Sequence, residues 1–185
     1  MSERFSAVPT LVDDALSLVR EVPDFPEPGV LFRDLGPVFA DGPAFRALVD
    51  ALAGGVDDDV AAVVGIEARG FLLAAAVGYA LGLGVVPVRK PGKSPVVAHR
   101  VDYQLEYGSA ALELPDGLIL PGQRVVIMDD VLATGGTARA AAALVAAAGA
   151  RVAGISVVLE LAALGGRPAL AEALADVAVT ALRTL

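Results

Sequence analysis

Four apolar residues, Val125-Val126-Ile127-Met128, run directly into two aspartates, Asp129 and Asp130, and the chain then reads Thr134-Gly135-Gly136-Thr137 ahead of an alanine-rich stretch. The apolar run predicts a buried strand over 124–130. Alanine has the best helix propensity, so a helix is expected from 138 to about 148, with a loop over 131–137 between them. Open parallel sheets place their ligands beyond such strand ends. At the loop, backbone N–H groups that lack intrahelical partners converge with two hydroxyls, and the helix field favours negative charge, so a phosphate fits. Glycine matters here because a β-carbon would crowd an anion held by backbone amides. The stretch is not the ATP-binding P-loop, which needs a lysine where Ala138 and Arg139 stand, and it lacks the dinucleotide glycine spacing. Paired carboxylates just before a phosphate cradle suit ribose hydroxyls, Mg²⁺, or both.

The same alternation extends along the chain. Helices are expected at 10–20, 43–53, 69–82 and 168–175, and strands at 60–66, 85–88, 151–159 and 177–182. Pro23, Pro26 and Pro28 are expected to keep regular structure out of their segment, since each removes a donor and restrains its neighbour. Between 91 and 115 the pattern weakens into a hairpin or a mobile loop. Strands rich in β-branched residues, alternating with helices, predict an α/β fold: a central, mostly parallel sheet flanked by helices. No linker long enough to separate a pair of domains is visible, so residues 1–185 are expected to form one domain.

Composition removes several classes of function. With 14 Lys and Arg against 22 Asp and Glu the net charge is −8, which argues against a protein whose main work is coating nucleic acid. The 56% hydrophobic content excludes an intrinsically disordered chain. There is no Cys, hence no disulfide or cysteine metal site, and a single His cannot make a histidine-rich one. The longest uncharged stretch, Phe71 to Val88, contains Gly78, Gly82, Gly84 and Pro87 and reads as helix, turn and strand rather than a membrane span. Glu3 and Arg4 open a polar start with no apolar signal core, so the expected location is the cytoplasm.

Charge placement supports an anion site independently. No Asp or Glu lies between Ala68 and Val101, yet Arg69, Arg89, Lys90, Lys93 and Arg100 do, five of the 14 basic residues. Arg69 follows one expected strand, and Arg89 with Lys90 follows the next. All three therefore belong at the ligand edge of the sheet with Asp129 and Asp130. An acidic chain that gathers cations there is suited to a polyanion.

Residues 125–137 resemble the 5-phosphoribosyl diphosphate (PRPP) binding signature of the type I phosphoribosyltransferase family. Phe25-Pro26-Glu27-Pro28-Gly29-Val30-Leu31-Phe32-Arg33-Asp34, Gly65-Ile66-Glu67-Ala68-Arg69-Gly70-Phe71, Val88-Arg89-Lys90-Pro91-Gly92-Lys93, Leu105-Glu106-Tyr107-Gly108 and Pro121-Gly122-Gln123-Arg124 are similar to further blocks of its adenine-using members, in the same order. The likeness spans roughly 22–167. It implies the family fold, with a small base-binding segment at 22–37 and a flexible hood over 91–112. Ala133, Thr134, Gly135, Gly136 and Thr137 would hold the 5′-phosphate, and Asp129 and Asp130 the ribose hydroxyls. Glu67, Ala68, Arg69 and Gly70 would wrap the pyrophosphate, often through a cis non-proline bond, with Arg89, Lys90 and Lys93 neutralising it. Leu31 would read adenine through its main chain, Phe32 and Val131 would line the base pocket, and Arg33 would orient the segment. Glu106 would be the catalytic carboxylate of the hood, with Tyr107 beside it, and Arg69 would also serve the chemistry. Mg²⁺ would be bridged through PRPP and water near Asp129 and Asp130 rather than ligated directly.

The reaction implied is transfer of the 5-phosphoribosyl group from PRPP to N9 of adenine, giving AMP and pyrophosphate, by a homodimer that engages neither nucleic acid nor membrane. The residues alone do not select adenine. A hypoxanthine, guanine or xanthine enzyme would share the PRPP site, and a regulator that binds PRPP or nucleotide without turnover is the alternative of a different class.

Overall fold

The computed structural model describes residues 7–104 and 109–185, and the chain divides into two compact units, Met1–Ala51 and Leu52–Leu185. In the first unit, helix α1 (Ala7–Leu16) is followed by strands β1 (Arg20–Pro23) and β2 (Leu31–Asp34), then by α2 (Gly36–Ala40) and the start of α3 (Gly42–Ala53). The expected helix over 10–20 thus stops earlier, because Arg20 to Pro23 pair antiparallel with Leu31 to Asp34. The prolines do not exclude regular structure here. Pro23 ends β1, while Pro26 and Pro28 lie in the connection, where no ladder N–H is required. Asp41 accepts a hydrogen bond from Ala44 N–H at 2.9 Å and so caps α3 ahead of Pro43.

The second unit is built on a five-stranded parallel sheet in the order β4-β3-β7-β8-β9. Its strands are β3 (Ala62–Ile66), β4 (Gly84–Val88), β7 (Arg124–Leu132), β8 (Arg151–Glu160) and β9 (Ala178–Thr184), with helices α4 (Gly70–Leu81), α5 (Gly136–Ala147) and α6 (Gly166–Ala173) in the connections. This is the expected α/β architecture, a parallel sheet flanked by helices. Val64, Ile66, Val125, Ile127, Ile155 and Val157 pack with Ala141, Leu144 and Val145 of α5 in one core. Side chains alternate across a strand, so Gly65 belongs to the other face, where an added β-carbon would stand 2.7 Å from the Ala74 β-carbon of α4. Fully burying each Val, Leu or Ile stabilises the fold by about 1.5–3 kcal/mol, which is why these runs decide the architecture.

Hairpin β5 (Val97–Gln104) and β6 (Ser109–Pro115) occupies much of the span whose pattern was weak. Leu112 and Leu114 of β6 join the core on the α5 side, and Arg89 exchanges both backbone hydrogen bonds with Glu113, at 2.9 and 2.7 Å. Among the described residues, no helix is long and apolar enough to cross a membrane.

Candidate active site

β7 does not stop at Asp130. Val131 and Leu132 continue it, opposite Leu159 and Glu160 of β8, so the loop expected over 131–137 narrows to Ala133, Thr134 and Gly135. The physical cause is the neighbouring strand, which offers backbone partners beyond the point where the apolar pattern ends. Gly135 adopts a left-handed conformation (φ +83°) and turns the chain into α5 at Gly136. Asp129 and residues 131–138, together with Val157, bound a cavity of about 60 Å³ beside the unpartnered amides at the start of α5.

A second loop, between β3 and α4, reaches the same strand end. The Glu67–Ala68 peptide is cis. Gly70, the first residue of α4, lies so close to β7 that an added β-carbon would stand 2.7 Å from Met128 O and 3.1 Å from Asp129 Oδ1. Arg69 Nε sits 2.6 Å from Asp130 Oδ2. Burial pushes Asp129 well above the usual carboxylate range, and the adjacent Asp130 charge adds to this. Burial pushes Asp130 up as well, against the pull of the Arg69 guanidinium.

A third loop follows β4. The Glu67 carboxylate accepts the Lys90 N–H at 2.8 Å, and Arg89 Nη1 donates to Lys93 O at 2.5 Å, so the cation-bearing segment is tied to the β3–α4 loop. The Lys90 and Lys93 side chains are exposed. The Glu113 carboxylate, buried at the root of the hairpin, accepts Gly92 N–H at 3.1 Å.

The structure therefore brings together Arg69, Gly70, Asp129, Asp130 and the 133–137 loop at the carboxyl edge of the sheet, and it holds Glu67 against the backbone of Lys90. Val131 lines the loop cavity. Leu31, Phe32 and Arg33 lie on β2 of the first unit: Leu31 is exposed, Phe32 meets Phe25 edge to face at 5.1 Å between centroids, and Arg33 pairs with Glu21. Glu106 and Tyr107 lie outside the described residues. Sequence reasoning missed Tyr103, whose hydroxyl is 3.4 Å from Thr137 Oγ1, and it missed the Glu160–Arg167 pair. Glu160 was findable as a lone acid closing an apolar strand; Tyr103 carried no signal.

Two carboxylates among backbone amides and hydroxyls can hold a polyhydroxylated, phosphorylated sugar, while Arg69 and the 89–93 segment offer positive charge beside it. Among the described residues no group of three or more His, Asp or Glu could hold a metal ion by itself. The donor set, two adjacent carboxylates, instead suits a hard cation that takes most of its ligands from substrate oxygens and water.

A phosphoribosyl transferase domain model matches residues 39–174, and the chain belongs to that family. It falls among the adenine phosphoribosyltransferases. The chain is 64% identical over 170 residues to the "Adenine phosphoribosyltransferase" of Saccharopolyspora erythraea, covering 92% of this chain and 90% of that one. It is 62% identical over 158 residues to the protein of the same name from Clavibacter michiganensis subsp. michiganensis, with coverages of 84% and 88%. Among solved structures, adenine phosphoribosyltransferase of Rhodothermus marinus superposes with a TM-score of 0.88 at 42% identity, covering 95% of this chain and 99% of that one. The Saccharomyces cerevisiae enzyme, solved with adenine and an imino-altritol bisphosphate, superposes at 0.85 with 35% identity, with coverages of 94% and 99%.

Proposed function

We infer that this chain transfers the 5-phosphoribosyl group from PRPP to N9 of adenine, forming AMP and releasing pyrophosphate, as a pentosyltransferase of purine salvage. The observation that carries the reading is the junction at Gly70. It sets Arg69 and the β3–α4 loop against the acid pair of β7, in a chain 64% identical to an adenine phosphoribosyltransferase.

In this reading Ala133 to Thr137 grip the 5′-phosphate through loop amides and hydroxyls, and Asp129 and Asp130 accept hydrogen bonds from the ribose hydroxyls. The bond from C1 of the ribose to the pyrophosphate oxygen breaks, and a bond from C1 to N9 forms. The departing oxygen gains negative charge, which Arg69 meets directly, with Arg89, Lys90 and Lys93 adding positive potential. Glu67 and Ala68 shape that loop, with Glu67 acting through its hold on Lys90. Mg²⁺ bound through PRPP and water near Asp129 and Asp130 would supply further neutralisation of the diphosphate. Leu31 reads the adenine edge through its main chain, Phe32 and Val131 line the base, and Arg33 orients the segment. Glu106 takes or shares the N9 proton, with Tyr107 beside it, as the hood over 91–112 closes and excludes water that would otherwise capture the sugar centre.

The whole chain serves as one catalytic unit, working in the cytoplasm as a homodimer on small molecules rather than on nucleic acid or membrane. The exposed apolar side chains Leu72 and Tyr79 on α4 are compatible with a subunit contact. The test is turnover of purified protein with PRPP and Mg²⁺ against adenine, hypoxanthine, guanine and xanthine. AMP formation alone is expected, and comparable turnover of a 6-oxopurine would overturn the base assignment. Light scattering that gave a fully active monomer at micromolar concentration would remove the dimer.

A further inference from the structure

Glu160 closes β8 directly beside Leu132, the last strand residue before the 133–135 loop. Its side chain is 6% exposed, an environment that penalises a carboxylate unless it is paired and hydrogen-bonded. Arg167 of α6 supplies the partner in full. Its Nε lies 2.9 and 3.0 Å from the two carboxylate oxygens and its Nη2 2.5 Å from one of them, while Nη1 donates to Val179 O of β9. Thr184 Oγ1 adds a contact to the same carboxylate at 3.4 Å.

What this pair holds is the start of α6, and that start abuts the loop. An added β-carbon on Gly166 would stand 2.2 Å from Ala133 O and 3.0 Å from Leu132 Cδ1. From the other side, one added to Gly135 would stand 2.9 Å from Gly166 O and 3.3 Å from Leu170 Cγ. The loop and the helix start therefore touch backbone to backbone with no slack. A helix of eight residues does not hold its own position in water, so its placement comes from what anchors it. A guanidinium fork on a carboxylate fixes direction as well as distance, which a hydrophobic contact would not. Neither Glu160 nor Arg167 lines the loop cavity, so any influence on ligand passes through Gly166.

We propose that Glu160 and Arg167 are positioning residues for the phosphate loop: their ion pair sets α6, and Gly166 at its start fixes Ala133 and Gly135 at the spacing that grips the sugar phosphate. This rests on the reading of residues 133–137 as the 5′-phosphate site.

The test compares Glu160→Gln, Arg167→Lys, Gly136→Val and the distant core variant Ile155→Val, by steady-state kinetics in both substrates and by calorimetric PRPP binding. Glu160→Gln keeps the shape and removes the charge; Arg167→Lys keeps the charge and removes the fork, and it serves if the first variant does not fold. Each is expected to raise the KM and Kd for PRPP about five- to twentyfold, with kcat and the adenine KM within twofold of the parent. Ile155→Val, which loses stability without touching the loop, should leave both KM values in place. Parent-like PRPP constants in both pair variants, or PRPP and adenine constants that drift together with stability, overturn the proposal. If Gly136→Val abolishes PRPP binding while the pair variants retain it, the positioning role alone falls. If Gly136→Val also binds PRPP normally, the phosphate-loop reading falls with it.

Discussion

Gly70→Ala adds one carbon where the start of α4 meets β7. The new methyl would stand 2.7 Å from Met128 O and 3.1 Å from Asp129 Oδ1, whereas ordinary contact begins at 3.4 Å. About 0.7 Å of separation is missing, and both neighbours are stiff: one is the backbone of the central strand, the other a partly buried carboxylate already accepting Asp130 N–H at 2.9 Å. Helix α4 must move away from β7, carrying Arg69 with it. Overpacking of this kind costs about 1–3 kcal/mol. With a urea dependence of about 2 kcal/mol per molar, the unfolding midpoint should drop by roughly 0.5–1.5 M. Because a misplacement of about 1 Å can cost a hundredfold in rate, kcat/KM for PRPP is expected to fall about ten- to a hundredfold. Gly42→Ala is the paired control. Nothing lies within 4 Å of its added carbon, so it should be neutral or stabilising by up to about 1 kcal/mol, through the lower entropy of the unfolded chain. Urea titration and PRPP kinetics on both proteins decide the matter: a Gly70→Ala protein with the parent midpoint and the parent kcat/KM refutes the close-approach argument.

Two further expectations concern charge. Asp129 has a raised pKa in the folded chain, so its ionisation favours the unfolded state: stability falls as pH rises from the ordinary carboxylate value through the raised one. Asp129→Asn should therefore stabilise the free protein at pH 7 and weaken PRPP binding, with the stability gain vanishing at a pH below the ordinary carboxylate range; a gain that ignores pH would contradict the burial argument. Glu106→Gln should lower the single-turnover rate about ten- to a hundredfold with little change in substrate affinity, whereas Arg69→Ala should damage PRPP binding itself. An unchanged single-turnover rate for Glu106→Gln across pH 6–9 would remove its catalytic role.

The sheet was legible because its inner strands, β3, β7 and most of β8, are buried. Val60 to Ile66, Val85 to Val88 and Val125 to Met128 are apolar on both faces, and no other packing suits such short runs between helices. The acid pair and the glycine loop were legible for a different reason: they sit at a strand-to-helix junction whose backbone chemistry is local. What escaped depended on partners distant in sequence. Strand β1 forms only because Arg20 to Pro23 meet Leu31 to Asp34, and its side chains are mostly exposed, so no hydrophobic pattern announces it. β7 runs on through Val131 and Leu132 because β8 continues alongside. The Glu160–Arg167 pair joins a strand end to the next helix across a turn, and nothing in the spacing of two charges seven residues apart says that one is buried.

The place of β7 in the sheet has a consequence for fidelity. The strand that carries Asp129 and Asp130 is hydrogen-bonded to β3 on one side and to β8 on the other, and Gly70 leaves no room behind it. With the acids on ribose hydroxyls, a deoxy sugar would leave a buried carboxylate oxygen without its donor, and the strand has no freedom to shift and hide the loss. A site built to hydrogen-bond a hydroxyl rejects the analogue that lacks it far more strongly than a hydrophobic pocket rejects a missing methylene. With the acids in that role, the packing around β7 would act as a filter against deoxyribosyl diphosphates, set by the sheet rather than by any residue dedicated to excluding them.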